Sequence, residues 1–370
     1  MALASSDDNS AALVHQDPSL LRALDMVAPG TSLREGIDNV IHASTGALIV
    51  IGEPEEISYL FSGGLKLDVD YTPGLIYQVA KMDGAIVLDP EAKRLSWANV
   101  QLMPDPTIHS AETGTRHRTA ERVSKQTSAL VIAISARRDV VSIYLGGTKY
   151  ILQDIPTVLS KANQGLATLE KYRLRLDRVT ARLTTVEMAG AASLHDALTV
   201  LQRAELLLRT SNEVERYIIE LGSEGRLIEM QLEETAIGVL ADRAALIRDY
   251  AGDDSEAVLD ETLAALSGLS HQELLDLGRL AELLGHDRKA DSHDVSVSAR
   301  GYRVLGRIPR LPRLVGEKVI RHFGTLEEIL AATEDELAAV EGVGESRAAD
   351  IREGLDRVRE SEVFERYPLT

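Results

Sequence analysis

Ala162, Leu169, Leu176 and Leu183 recur at every seventh position, with Tyr172, Val179 and Val186 as an interleaved row. A stripe of this period fits one long helix and no strand, because only the helical repeat keeps positions seven apart on one face. It places an all-helical region in the middle of the chain and leaves other structure to the flanks. The seam can pair with another chain as a coiled coil, or be covered inside an all-α bundle. Further helical runs follow at residues 194–208, 213–221 and 227–250, interrupted by Gly222-Ser223-Glu224-Gly225. They can cover the stripe, so the bundle is the favoured reading.

Upstream, from about residue 20 to 150, the texture is α/β. Residues 47–51, 85–88, 129–134 and 140–145 are short apolar runs rich in β-branched residues and bounded by Gly, Asp or Ser, as buried strands are. Residues 22–28, 33–42 and 119–127 read as helices between them. Residues 1–17 read as a loose, acidic tail without the basic start and apolar stretch of a secretory signal. The longest apolar runs are too short to span a bilayer. The expectation is a cytoplasmic chain in three parts: a nucleotide-binding α/β domain with a central mixed sheet at 1–155, a helical spine or linker at 156–297, and a helix-hairpin-helix DNA-binding domain at 298–370.

Composition narrows the chemistry. The 370 residues include no cysteine, which excludes disulfides, thiolate catalysis and cysteine-held zinc or iron–sulfur centres. With 44% hydrophobic and 4% aromatic residues, the cores rest on Leu, Val, Ile and Ala. The formal charge of −18 means that any nucleic-acid contact comes from a local basic patch.

Two motifs carry candidate chemistry. In Lys81-Met82-Asp83-Gly84-Ala85, Asp83 enters a strand and can bind a divalent metal or accept a proton from a ribose hydroxyl, while Gly84 permits close approach of the backbone to a ligand. In Gly114-Thr115-Arg116-His117-Arg118-Thr119, two guanidiniums and an imidazole occupy a loop just before a helix expected to start near Thr119. Arginine forks suit phosphate, loop amides and the helix N-terminus add to them, and Thr115 and Thr119 supply hydroxyls. Thr119 also suits an N-cap. Taken alone, Asp-Gly is usually a turn and Arg-His-Arg a basic surface loop.

Two other stretches read as structure. Gly63-Gly64-Leu65-Lys66-Leu67-Asp68-Val69-Asp70 resembles a polymerase-type Gly-Ser…Asp-x-Asp signature, but its gap is too short. Asp68 and Asp70 share a strand face, so a metal pair is conceivable, and a strand edge with a turn is the favoured reading. Residues 285–294 hold His and Asp, yet the interleaved Arg288 and Lys289 favour a solvated linker over a metal site.

Near the end, Leu337, Val340, Gly342, Val343, Gly344, Ala348 and Ile351 fit h-x-x-h-x-G-h-G-x-x-x-A-x-x-h, a helix-hairpin-helix signature. The glycines permit a tight turn whose amides hold a DNA phosphate without reading bases. Gly342, Val343, Gly344 and Arg347 are the candidate contacts, joined by Arg310 and Arg313 from residues 308–320, a similar segment without the paired glycines that reads as a degenerate first hairpin. Arg303, Arg307, Arg310, Arg313, Lys318 and Arg321, opposed only by Glu317, form a candidate basic stripe. Thr325 with Glu328 and Thr333 with Glu336 have capping-box spacing.

The order Thr45-Gly46-Ala47-Leu48, Asp83-Gly84-Ala85, Ala98-Asn99-Val100-Gln101-Leu102 and Gly114 to Thr119, then a helical middle and a helix-hairpin-helix end, resembles the bacterial diadenylate cyclases of the DNA-integrity-scanning family over about residues 20–366. The resemblance implies condensation of two ATP into cyclic di-3′,5′-AMP and two pyrophosphates, with Mg²⁺ or Mn²⁺. It implies Asp83 on the 3′-hydroxyl side, Arg116, His117, Arg118, Thr115 and Thr119 on the triphosphate, and Gly84 and Leu102 lining the nucleotide pocket. It further implies two domains meeting face to face, a homo-octamer, and branched DNA at the C-terminal domain that lowers cyclase activity. The alternatives are a non-catalytic, nucleotide-responsive DNA-binding scaffold, which has no need of Asp83, and a helix-hairpin-helix repair enzyme. For the latter, no lysine–aspartate pair follows Gly342-Val343-Gly344 at a suggestive spacing.

Overall fold

A computed structural model describes residues 17–136, 140–288 and 295–366, with side chains through Arg359. Two compact units are present, one of residues up to Gln164 with Glu213–Met230, the other of Gly165–Asn212 with Gln231 onward. The helical segment 156–297 is thus divided between the two.

The first unit holds an eight-stranded mixed sheet of β1 (Ala47–Ile51), β2 (Phe61–Ser62), β3 (Leu65–Asp70), β4 (Ala85–Leu88), β5 (Arg94–Leu102), β6 (Leu130–Ile134), β7 (Val141–Leu145) and β8 (Thr148–Ile151). The order is β5-β4-β1-β6-β7-β8, with β2 and β3 both pairing along the outer side of β5. Among the described residues, only β1 and β4 run parallel. The four runs expected as strands are the adjacent central four, β4, β1, β6 and β7. They are buried on both faces and so read as continuous apolar runs. Of the flanking strands, β3 falls on the stretch read as a strand edge with a turn, whereas β2, β5 and β8 escaped the sequence reading because they are short, alternate or are exposed.

One sheet face packs α1 (Pro18–Met26), α2 (Ser32–His42) and α3 (Pro73–Val79) against Ile49, Ile86, Ile132 and Ile143. The other packs α4 (Thr115–Gln126), through Ala120 and Val123, against Val50, Val87, Val131 and Tyr144. Helix α1 starts four residues before the expected position, because Asp17 accepts from the Ser19 amide and Pro18 takes the first helical position.

The seam lies on α5 (Ile155–Met188), with Ala162, Leu169, Leu176 and Leu183 buried by the chain itself and Tyr172, Val179 and Val186 half-buried. α6 (Leu194–Leu221) runs unbroken through residues 209–212, where two helices were expected. That polar stretch contains no Gly or Pro, and Thr210 returns its hydroxyl to the Leu206 carbonyl. Conversely, the expected helix 227–250 is two, α7 (Arg226–Ala236) and α8 (Val239–Tyr250), separated at Gly238 with φ +79°. Helices α9 (Glu256–Gly268), α10 (His271–Leu275) and α11 (Leu277–Leu283) complete this region. Of the expected linker 285–294, residues 289–294 lie outside the described residues.

The C-terminal helices are α12 (Tyr302–Leu305), α13 (Arg313–Phe323), α14 (Leu326–Ala331), α15 (Glu334–Ala338) and α16 (Gly344–Arg366). Thr333 and Glu336 form a full capping box, while Thr325 accepts from Glu328 without the return bond. Among the described residues no helix is long and apolar enough to cross a membrane.

Candidate functional site

The register of the sheet gathers the first set of candidates. Ala47 pairs with Ile134, Ala85 pairs with Val100, and β1 lies parallel to β4. Gly46, Gly84, Asn99 and the end of β6 therefore share one edge, at the N-terminal ends of the parallel pair.

Helix α4 ends at this edge. Its N-cap is Gly114, without a side-chain cap, and its first turn closes with Arg118 N–H donating to the Gly114 carbonyl. The helix thus begins four residues before the expected Thr119. Thr115, Arg116, His117 and Arg118 form its first turn instead of a preceding loop, and Thr119 lies inside it. Nothing in Thr-Arg-His-Arg opposes helix, and the extended backbone of Gly114 supplies the entry. An uncapped N-terminus leaves amides free for an anion.

Arg116 lies against Gly46. A Cβ built on Gly46 would fall 2.2 Å from Arg116 Nη1, so any larger residue displaces the guanidinium. Arg116 is half-buried and has no hydrogen-bond or ion-pair partner among the described residues. His117 Nδ1 lies 3.0 Å from Tyr144 Oη. The Tyr144 hydroxyl donates to Glu112 at 2.9 Å, and Lys149 donates to the same carboxylate oxygen at 2.6 Å. Tyr144 spends its proton on Glu112, which makes its oxygen the acceptor for His117 Nδ1–H. Partial burial raises the Glu112 carboxyl, but the Lys149 and Tyr144 hydrogen bonds outweigh it and hold it below the usual carboxylate range. Burial, then Glu112, pushes the Tyr144 phenol up, so it stays a donor. The sequence reading missed Glu112, Tyr144 and Lys149, which lie 37 residues apart along the chain at the extremes and carry no local signature.

Arg118 turns back to the carbonyls of Glu112 and Thr113, both at 3.2 Å. Arg122 holds Ile108 and Pro106 at 2.9 and 3.0 Å, and Lys125 holds His109 at 2.9 Å. These cations strap the loop before α4 onto the helix. Leu102 is 8% exposed and packs in the core beneath α4, leaving little of it to line a pocket.

Asp83 is exposed and has no partner among the described residues. The neighbouring Gly84 donates its amide to Asn99 Oδ1 at 3.1 Å. A Cβ there would meet the Asn99 and Val100 backbone at 2.3–2.6 Å. The close approach that Gly84 permits is therefore to β5, at a register irregularity where Asn99 has φ +53°. Gly84→Ala is expected to cost about 1–3 kcal/mol through overpacking and to shift Asp83. A variant that melts with the wild type would show that β5 yields instead.

Asp68 and Asp70 lie on β3 and both pair with Arg94, at 3.0 and 3.1 Å. That agrees with a strand edge and leaves neither carboxylate free for metal. Among the described residues no group of three or more His, Asp or Glu could hold an ion.

In the second unit, Leu337, Val340, Val343, Ala348 and Ile351 are buried, and Gly342 and Gly344 take φ +87° and +64°. Arg347 Nη1 donates to the Gly342 carbonyl at 2.6 Å. Arg310 is exposed, and Arg313 pairs with Glu317 at 2.7 Å. The expected basic stripe is broken at its first member. Arg303 is 1% exposed and ion-paired with Glu187, because Val304, Leu305 and Ile308 draw that helix face into the core.

Comparison with known proteins matches three family models along the chain. The DisA bacterial checkpoint controller nucleotide-binding family matches residues 34–149, and the DisA checkpoint controller linker region matches residues 152–293. The SAM-like helix-hairpin-helix tandem matches residues 313–357. DNA integrity scanning protein DisA of Symbiobacterium thermophilum is 50% identical over 345 residues, covering 93% of this chain and 97% of that protein. Its namesake in Carboxydothermus hydrogenoformans is 48% identical over 93% of this chain and 98% of that protein. The one in Clostridium perfringens is 49% identical over 94% and 97%.

Proposed function

Since the chain belongs to the DNA integrity scanning protein DisA family, we propose that it is a diadenylate cyclase that joins two ATP into cyclic di-3′,5′-AMP with release of two pyrophosphates. One observation carries the proposal. An uncapped helix N-terminus with a half-buried Arg116 lies at the same sheet edge as Asp83, and neither side chain has a partner among the described residues. That pairs a cation and free amides for phosphate with a carboxylate for a hydroxyl.

In the reaction each 3′-oxygen bonds to the α-phosphorus of the other ATP. The bond to the β-phosphate oxygen breaks, and the hydroxyl proton leaves. Asp83 orients the hydroxyl and takes its proton. Arg116 and the first-turn amides of α4 bear the charge growing on the phosphates, which is most of what phosphoryl-type transfer asks of a protein. His117 is held in one orientation by Tyr144, and Thr115 and Thr119 add hydroxyl donors. Arg118 holds the loop carbonyls and reaches phosphate only by giving them up.

A divalent ion fits these residues in one way. With Asp83 as the free carboxylate of this edge, Mg²⁺ or Mn²⁺ would be held chiefly by triphosphate oxygens, where it neutralises charge. Two half-sites must face each other, so the active form is at least a dimer of this domain, and a homo-octamer accommodates four such pairs. The helix-hairpin-helix tandem binds DNA backbone, and branched DNA there lowers cyclase activity. The reaction belongs in the cytoplasm, where ATP is abundant.

Mass spectrometry of products from purified full-length chain with ATP and Mg²⁺ or Mn²⁺ tests this. Cyclic di-AMP is the expected product. Folded, oligomeric protein that yields none with either metal would replace the cyclase with a nucleotide-responsive DNA scaffold.

A further inference from the structure

The two C-terminal hairpins are one pattern used twice. A shift of 32 residues places Leu305, Ile308, Arg310, Leu311, Gly316 and Val319 on Leu337, Val340, Gly342, Val343, Ala348 and Ile351. Backbone conformation follows the repeat. Arg310 has φ +64° where Gly342 has +87°, so both turns enter the left-handed region at the same place. An arginine held there is strained where a glycine is not.

The charges do not follow the repeat. Residues 308–321 carry Arg310, Arg313, Lys318 and Arg321 against Glu317, a net +3. Residues 340–353 carry Glu341, Glu345, Asp350 and Glu353 against Arg347 and Arg352, a net −2. Both cations of the second hairpin are engaged internally, Arg347 with the Gly342 carbonyl and Arg352 with the carbonyls of Leu330 and Ala332. In the first, Arg310 and Arg321 are exposed and have no partner among the described residues, and Arg313 has only its exposed pair with Glu317.

Leu314, Lys318 and Arg321 fall on one face of α13 at i, i+4 and i+7. Leu314 is 73% exposed, an apolar side chain between cations. Lys318 Nζ pairs with Glu341 at 2.8 Å and lies 3.6 Å from where a Gly342 Cβ would be. The cationic face of the first hairpin therefore runs up to the turn of the second.

We propose that the first hairpin, without paired glycines, supplies most of the DNA affinity of this module. Arg310, Arg313 and Arg321 contact phosphates, Leu314 packs on sugar edges, and the Gly342–Gly344 turn adds one amide-held phosphate. A phosphate arriving at that turn takes Lys318 from Glu341, an exposed pair that costs little to break. The proposal rests on the DNA-binding reading of the module and adds which half of it does the binding.

The test is fluorescence anisotropy of full-length protein with a labelled four-way junction and a labelled linear duplex, across a salt series. Arg310→Gly relieves the turn while removing the cation, and is combined with Arg313→Gln and Arg321→Gln. The triple variant is expected to keep its melting temperature, bind at least about 50-fold more weakly, and lose about 2–3 from the slope of log affinity against log salt. Arg347→Gln is expected to change affinity less than about threefold, and Glu341→Gln to leave it equal or tighter. Wild-type binding with an unchanged triple variant, or loss confined to Arg347→Gln, overturns this inference alone. Wild-type protein that binds neither DNA overturns the DNA-binding reading together with it.

Discussion

Asp83→Asn is expected to lower cyclic di-AMP turnover by about 10²–10⁴-fold while changing the apparent KM for ATP only several-fold. The substitution keeps shape and removes charge. Asp83 is exposed and without a partner among the described residues, so its loss leaves no orphaned group and stability should move within about 0.5 kcal/mol. That separates chemistry from folding. An interaction used equally in the ground and transition states would raise KM alone. A group that accepts the hydroxyl proton or helps hold a cation on the phosphates shows mainly in kcat. Steady-state product formation at several ATP concentrations distinguishes the two. An asparagine variant with more than about a tenth of wild-type kcat would remove Asp83 from the reaction.

Arg303→Met is expected to destabilise the second unit by about 3–5 kcal/mol, the largest effect on folding of any single substitution considered for this chain. Arg303 is ion-paired with Glu187, donates to Thr184 at 2.7 Å, and shares Glu187 with the Tyr250 hydroxyl. Methionine fills similar space but leaves Glu187 buried without its cation. Burial already pushes the Glu187 carboxyl up, and Arg303 is the main influence pulling it down. Asp249 joins the same cluster by accepting the amides of Gly301, Tyr302 and Arg303 at 2.7, 2.6 and 3.0 Å. Arg300 completes it by donating to the carbonyls of Arg248 and Ala251, each at 2.8 Å. Hydrogen exchange over residues 300–323 reads the loss locally, and protection within about 1 kcal/mol of wild type would refute it. Adding Glu187→Gln should recover part of the loss.

The same cluster has a pH signature. Burial, then the neighbouring Glu187, pushes the Asp249 carboxyl up to about 7 from its ordinary value of 3.8. Between those values the folded state holds a proton that the unfolded state has released. The contribution to stability is full below about pH 4 and is lost as pH rises through about 7. Asp249→Asn should flatten that decline.

Legibility in the sequence followed burial. Strands β1, β4, β6 and β7 were read because both their faces are covered, and β3 as a strand edge from its alternating aspartates, whereas β8 presents polar residues to solvent and looks like a loop. The motif residues were found, but their local structure was not. Thr119 looked like a cap because it carries a hydroxyl, yet the chain enters the helix at Gly114. Gly84 looked like space for a ligand, and its neighbour is Asn99. Tyr144, the partner of His117, and Lys149, the partner of Glu112, were invisible because they come from β7 and β8, and only the folded sheet brings them to α4. Arg303 was counted as a surface cation since nothing in its own segment announces Glu187, 116 residues earlier.

The strapped loop has an electrical consequence. Arg118 and Arg122 are satisfied by carbonyl oxygens. Carbonyls complete hydrogen bonds without cancelling net charge. With Arg116 unpaired among the described residues, Arg116 and Arg118 place two full positive charges in the first turn of α4, beside the positive end of its dipole, on a chain whose formal charge is −18. A polyphosphate approaching from a distance meets a repelling molecule, and within about one Debye length, roughly 8 Å at physiological ionic strength, an attracting one. Capture of nucleotide is then governed by this short-range field, and added salt first weakens the repulsion that hides it.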